Sequence, residues 1–480
     1  MKNGTVISNS MVLIGGRIAL SAGRLLVAII IVRLCGSEVF GAYALVLALV
    51  ALFDWLVDFG QTDIAVREVM AAPGDRAPWL GALMRNKFAM GVLAVGLMPA
   101  VTIVLGYDSE IVLGSLVGAL AVVLHAAIQL PRTILKLEMR QDVDVLGEVS
   151  GLIVMVPAVA WAALADASLP LLLATFALAR VVHLGTVLLF AHVRRHIRQS
   201  IDPAETPQAA LGARAMPLGT AGLLATVHES IAPVLLSKLY GLDAVTIFVT
   251  ATRFVMPVLI VTQALNSAFF PALARSWESG VKAFSEMQQS ALTVSTAVAA
   301  LMFSGLFCGA EFIMGLIDPS LAESAVVLKV MALVVLARAV TTIMTPVVVI
   351  SRKQNIALMF TVASLASQLA LQFWLVPEYG ALGAASSYLV TEPLLGATAV
   401  SLLGIIFAKV ELDWSQVLKT YLAALGVSAL FSASPVAPFV SMVLAPSLLF
   451  VLFILLGVIP LKMLGDIRDQ VRGGLLGEGS

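Results

Sequence analysis

A succession of apolar runs, each about twenty residues or longer and separated by short polar connections, constrains this chain more than any other feature. About twenty consecutive apolar residues are what an α-helix needs to cross the ~30 Å hydrocarbon core of a bilayer. The runs predict spans at 9–34, 38–60, 84–106, 111–131, 145–165, 169–191, 216–238, 243–272, 289–314, 323–350, 356–377, 382–408, 419–435 and 440–462. Backbone in lipid must satisfy its hydrogen bonds internally, and no stretch alternates as a barrel strand would, so the spans are read as helices. Composition agrees. Of 480 residues, 60% are hydrophobic and 12% charged, against ~45–50% and ~25% in soluble domains. The expectation is an all-α polytopic membrane protein of about fourteen transmembrane helices. A soluble enzyme, a secreted disulfide scaffold and a disordered polymer are excluded.

Charge placement predicts orientation, because basic residues concentrate in cytoplasmic connections. The chain has 29 Lys and Arg. All but eight fall in connections on one side of the predicted spans, among them Arg67, Arg85 and Lys87. Arg33 and Lys238 sit at the opposite ends, and Arg17, Arg24, Arg180, Arg253, Lys329 and Arg338 lie inside spans. Both termini are therefore expected in the cytoplasm. Arg17 and Arg24 interrupt the first run where a cleavable leader would be uninterrupted, so that run is read as a retained helix. Cys35 and Cys308 are read as small apolar residues. The outer connections are short, Glu378–Ala381 among them, and none could house an active site. No G-x-x-x-x-G-K-[ST] occurs, so no ATPase loop is expected.

Two connections repeat. Arg33-Leu-Cys-Gly36-Ser-Glu38 and Lys238-Leu-Tyr-Gly241-Leu-Asp243 share basic-Leu-x-Gly-x-acid, each with an aromatic five residues after the acid, at an offset of 205. A Gly closing one helix and an acid opening the next is also ordinary turn chemistry. Six intervening spans restore the same orientation, however, where a duplicated unit would put the match. The expected organisation is an N-terminal six-helix lobe at 1–191, a cytoplasmic linker at 192–215, a C-terminal six-helix lobe at 216–408, and helices 13 and 14 with a cytoplasmic tail at 409–480. Such repeats place a site at the lobe interface and favour rocking of the lobes.

Several short motifs add to this. Phe40-Gly41-Ala-Tyr43 follows the first repeat, Asp58-Phe-Gly60 ends the second span with Arg67-Glu68 beyond it, and Tyr379-Gly380-Ala-Leu-Gly383 precedes the twelfth. Together they resemble the polysaccharide (O-antigen type) flippase family of the multidrug/oligosaccharidyl-lipid/polysaccharide (MOP) exporter superfamily. The resemblance implies two six-helix lobes around a central cavity in a bacterial inner membrane. Its implied cargo is an undecaprenyl-diphosphate-linked oligosaccharide, moved to the outer face for O-antigen lipopolysaccharide, capsule or exopolysaccharide biosynthesis. A polysaccharide polymerase and a chain-length regulator are the partners it implies. Helices 13 and 14 depart from the twelve-helix members and match the related lipid II flippases, which leaves the subfamily open. No cofactor, metal or nucleic-acid partner is expected, and the role is that of a transporter rather than an enzyme.

Charges within the spans are the candidate site. An Arg or Lys at mid-bilayer costs roughly 2.5–3.5 kcal/mol on insertion scales, so each calls for a partner or a wet cavity. Arg17 and Arg24 are one heptad apart and share a helix face; Arg253 and Arg180 lie about 15 Å into their spans, near the midplane. Arg17, Arg24 and Arg253 are read as cargo-diphosphate ligands, because the Arg fork suits phosphate oxygens. Arg180 and Arg338 stand evenly between cargo binding and structural pairing. Lys329 is read as snorkelling to the outer face. Glu229 with His228 is the candidate for ion coupling, with a salt bridge to Arg24 or Arg253 as the alternative; Glu392 is a further mid-span acid. Asp54 and Asp58 are read as a gate or as helix-end partners of Arg67 or Arg85. His125, Gln129 and Arg132 share one helix face and could form a polar wall or interhelical hydrogen bonds.

Three rivals compete. A multidrug antiporter of the same fold would need a net acidic cavity, a membrane glycosyltransferase or ligase would need a large outer loop, and a non-transporting assembly subunit is a third. Topology is directly testable. A reporter fused after Lys409 is expected to read cytoplasmic and one near Glu378 to read outside; the reverse pattern would defeat the fourteen-span arrangement.

Overall fold

A computed structural model describes residues 3–71, 76–190, 208–350, 354–406 and 412–458. Among the described residues every regular element is helical. The helices are α1 (Asn3–Cys35), α2 (Ser37–Asp58), α3 (Gln61–Ala71), α4 (Arg76–Val104), α5 (Ser109–Leu137), α6 (Gln141–Leu164), α7 (Leu169–Leu188), α8 (Gln208–Leu239), α9 (Leu242–Ser279), α10 (Val281–Cys308), α11 (Ala310–Ile317), α12 (Ala325–Ile350), α13 (Gln354–Ile406), α14 (Trp414–Ala433) and α15 (Pro438–Leu455), with a 3₁₀ turn at Pro319–Ser324. Twelve helices among the described residues are long and apolar enough to cross a membrane. Helix α13 kinks at Gly380 (φ 55°), which divides it between the eleventh and twelfth expected spans. The chain is a multi-pass integral membrane protein. The expected linker as far as residue 207, and the tail from residue 459, lie outside the described residues.

The helices outrun several of the expected spans. Helix α4 starts at Arg76 rather than 84, α5 ends at Leu137 rather than 131, and α9 ends at Ser279 rather than 272. Helix α3 was not expected at all. Hydropathy marks where a helix meets lipid, whereas backbone hydrogen bonding continues into the interface; polar turns there remain helical without an apolar signal.

The chain forms two compact units, Met1–Val249 and Thr250–Ser480. In the first, α5 packs on α2, α4 and α7, α6 on α1 and α7, and α8 runs along α2. In the second, α10 is the central helix, flanked by α12, α14 and α15, while α12 packs on α13. A core of Leu273, Phe284, Leu292, Ile343, Met344 and Val347 fills that unit near the start of α10. Asp413 caps α14 by accepting from Ser415 N at 2.9 Å; the Ser415 hydrogen bonds hold its carboxyl below the usual carboxylate range.

The two repeated turns share a conformation. Gly36 has φ 92° and Gly241 φ 84°, a region that costs most residues a Cβ clash. Both lie in the first unit and their neighbours touch. Thr246 Oγ1 donates to Ser37 O at 2.5 Å, and a Cβ on Gly41 would fall 2.1 Å from Leu242 O. At an offset of 205, Ser37 corresponds to Leu242 and Gly41 to Thr246, so each contact is the counterpart of the other, as in an isologous interface. Ser37 Oγ also donates to Asp243 Oδ1 at 2.5 Å.

Further along the α2–α8 seam, a Cβ on Gly222 would lie 1.8 Å from Trp55 Cζ2, while Trp55 Nε1 donates to Gly219 O at 3.1 Å. The indole is thus pinned where a side chain at 222 would need to be. Gly222→Ala is expected to cost about 1–3 kcal/mol, the usual penalty of overpacking. The thermal midpoint in nanodiscs should fall accordingly, and adding Trp55→Leu should recover most of it.

Candidate functional site

The first unit gathers a chain of ionic side chains across helices α2 to α7. It starts on α2, where Asp54 and Asp58 are one turn apart and face the same side. Arg180 of α7 grips Asp54 with both arms of its fork, NH1 to Oδ1 at 2.9 Å and NH2 to Oδ2 at 2.5 Å. NH1 also donates to Ala121 O at 2.6 Å, and the guanidinium lies 4.7 Å from the Phe176 ring centre. This is the bidentate geometry that makes Arg–carboxylate pairs both strong and directional. Arg180, an even choice between cargo and structure by sequence, is committed to this pair.

Asp58 takes a different cation. Lys87 of α4, its side chain 2% exposed, donates to Asp58 Oδ1 and to Thr62 Oγ1 at 2.9 Å. Thr62 itself donates to Asp58 at 2.5 Å. The sequence placed Lys87 with the inner-side connections and offered Arg67 or Arg85 to the α2 acids. Instead Lys87, three residues into the expected span, is inside the bundle, on a helix that begins eight residues before that span. Arg67 reaches Glu68 at 3.2 Å, which also receives Arg214 at 2.6 Å.

A third cluster joins α5, α6 and α7. Arg132 Nε donates to Asp144 Oδ2 at 2.8 Å and its NH2 to Glu148 Oε1 at 2.5 Å. His183 Nε2 lies 3.0 Å from Asp144 Oδ1. His125 and Gln129 bond to each other at 2.6 Å, so of the three polar residues on that face Arg132 alone turns to α6. At the edge, Lys136 donates to Asp63 at 2.5 Å. Asp144, Glu148 and His183 were missed by sequence. Asp144 fell one residue outside its expected span, and the usable signal was spacing: Asp144 and Glu148 at i, i+4, Arg180 and His183 at i, i+3, each pair on one face. Gly147-x-x-x-Gly151 was a second signal, since small residues four apart let membrane helices approach closely. A Cβ at Gly147 would lie 2.4 Å from His183 Cδ2.

The other candidates are distributed. Arg17 and Arg24 are exposed on α1, and on α8 Glu229 is exposed and His228 half-buried. In the second unit Arg253 is half-buried on α9. Arg338 of α12 and Glu392 of α13 pair at 3.6 Å. Lys329 meets Glu311 at 2.8 Å. At the turn between α4 and α5, Tyr107 OH bonds Ser237 Oγ at 2.6 Å under Lys238 Nζ, 3.5 Å from its ring centre; burial pushes the phenol above its ordinary range. Among the described residues no three His, Cys, Asp or Glu side chains gather into a metal site.

Long apolar helices stitched by internal ion pairs make a polytopic membrane bundle. The chain belongs to the polysaccharide biosynthesis protein family, which it matches over residues 30–317. Among solved structures it is similar to the lipid II flippase MurJ in an inward closed conformation, with 13% identity, TM-score 0.73, and coverage of 93% of this chain and 98% of that one. It is also similar to a multidrug resistance MATE family transporter of the MOP superfamily. The inward-facing form has 15% identity, TM-score 0.64 and coverage of 82% and 95%; the outward-facing form has 13%, 0.58, 84% and 96%. No curated protein sequence matches it. At such identities the structures speak to the fold, and they agree with the resemblance read from the motifs.

The Arg180–Asp54 pair gives a direct test. Removing one partner leaves the other charged and buried, a loss of about 3–5 kcal/mol. Arg180→Ala should therefore destabilise strongly in a thermal melt, and Arg180→Leu/Asp54→Leu, which removes both charges, should be distinctly milder.

Proposed function

We propose that the protein is a flippase that moves an undecaprenyl-diphosphate-linked oligosaccharide from the cytoplasmic to the outer face of the bacterial plasma membrane, by alternating access, for surface polysaccharide biosynthesis. The observation that carries this reading is a pair of arginines, Arg17 and Arg24, exposed on one apolar helix of a chain in the polysaccharide biosynthesis family. A guanidinium at that depth is costly unless something anionic or aqueous meets it. A diphosphate supplies the oxygens, and the planar fork fits them two at a time. The diphosphate is held by charge-assisted bonds while the glycan travels beside it; in the second unit, half-buried Arg253 is a further candidate for cargo contact. Arg338 of the second unit, in its longer, partly exposed pair with Glu392, is another candidate for cargo contact.

A second reading is a lipid II flippase, favoured by the 93% coverage against MurJ. The two share a polyprenyl diphosphate and differ in the sugar. Family membership favours the polysaccharide repeat unit.

In a strain lacking the gene, Arg17→Ala, Arg24→Ala and Arg253→Ala should each reduce surface glycan at least tenfold at equal protein level. Lys329→Ala should remain near wild type, because its partner Glu311 is a solvent-exposed residue. Full export by the triple arginine variant would refute the reading, and death of the strain rather than loss of glycan would favour lipid II.

A further inference from the structure

The repeat at the two turns continues down the helices that lead into them. At the offset of 205, Arg17, Arg24 and Ile31 of α1 correspond to Gly222, Glu229 and Leu236 of α8. Each trio is spaced by heptads, so its members lie within about 40° of one another on one helix face. Ile31 and Leu236 are both fully buried, and Gly222 is pressed against Trp55 of α2. Glu229, between Gly222 and Leu236 on the face that α8 turns to α2, is nevertheless exposed. Helix α2 shows the same interruption. Gly41 closes on Leu242 and Trp55 on Gly222, while Ala51, one turn before Trp55, is exposed. The seam is shut at both ends and parted at mid-depth.

Arg24 and Glu229 each stand twelve residues before their turn glycine, about 18 Å along the helix, and the two turns touch where Thr246 bonds Ser37. The repeat therefore puts an arginine and a glutamate at one depth. The Arg24 face is turned about 100° from that of Gly23, where Leu152 of α6 packs. We propose that Arg24 and Glu229 are opposite poles of one compartment and that Glu229 is its specificity-determining residue: Arg24, with Arg17, holds the diphosphate, and Glu229 takes an ammonium group on the adjoining sugar. The cargo is then a lipid-linked glycan whose first sugar carries a free amine. This rests on the flippase reading above and narrows its substrate. A carboxylate at mid-membrane depth favours a cation over any neutral donor. An acetamido sugar in the same place keeps one N–H but loses the charge. A uronic acid brings a second negative charge, and juxtaposed like charges reject a wrong ligand.

Binding of three probes to the full-length protein in nanodiscs tests this: undecaprenyl diphosphate alone, and the same lipid carrying glucosamine or N-acetylglucosamine. The glucosamine lipid should bind roughly tenfold more tightly than the N-acetylglucosamine lipid, the effect of one charge-assisted bond. Glu229→Gln keeps the side-chain shape and should erase that difference. Arg24→Ala should weaken all three probes and preserve it. Equal binding of the two glycolipids to the wild type would overturn the specificity. So would a Glu229→Gln variant that gains affinity equally for all three, since Glu229 would then be only a counter-ion of the arginines. Should that variant fail to fold, the wild-type comparison decides alone. A wild type that binds none of the probes would overturn the flippase reading itself, and the specificity with it.

Discussion

A charge inside a helical membrane bundle has to meet its opposite there, because hydrocarbon offers neither water nor counter-ions. Much of the first unit follows from that demand. Asp54 on α2 and Arg180 on α7 are far apart in sequence and close in space, and their bond fixes how those two helices face each other. Lys87 does the same for α4 and α2, and Arg132 for α5 and α6. Removing both members of such a pair can be mild, whereas removing one leaves a bare charge. These pairs therefore specify arrangement more than they add stability, and they tie α2, α4, α5, α6 and α7 into one connected set.

Close helix approach is the second requirement, since an ion pair of 2.5–3.0 Å spans no gap. Gly147 admits His183 to the surface of α6, and Gly222 admits Trp55 to the surface of α8. Where the α1–α2 and α8–α9 turns meet, Gly41 and Thr246 occupy matching places, one making room for a carbonyl and the other bonding to one. One geometry is thereby met by two sequences, by absence of a side chain on one side and by a hydroxyl on the other.

Membership of the polysaccharide biosynthesis family is joined by a fold like that of flippase and multidrug exporter structures. Within that class the sign of the intramembrane charge separates the readings. On the proposed reading the exposed arginines on α1 meet an anionic cargo, while among the described residues Asp54, Asp58 and Asp144 are engaged by cations of their own.

How much of this was legible beforehand depends on range. Fourteen apolar runs, the basic residues between them and the Gly36 and Gly241 turns are local or periodic properties. They specify span number, helical class and two chain reversals, because lipid permits no other backbone solution. The motifs at Phe40, Asp58 and Tyr379 reached the family for the same reason: each describes a short turn. Which acid meets which base was not local. Asp58 bonds Lys87 rather than Arg67, Arg132 turns from His125 to α6, and His183 belongs to the cluster only because Gly147 makes room for it. Sequence determined that these charges needed partners; tertiary packing decided the partners, because pairing energy falls away within a few ångströms and only the folded bundle sets distances that small.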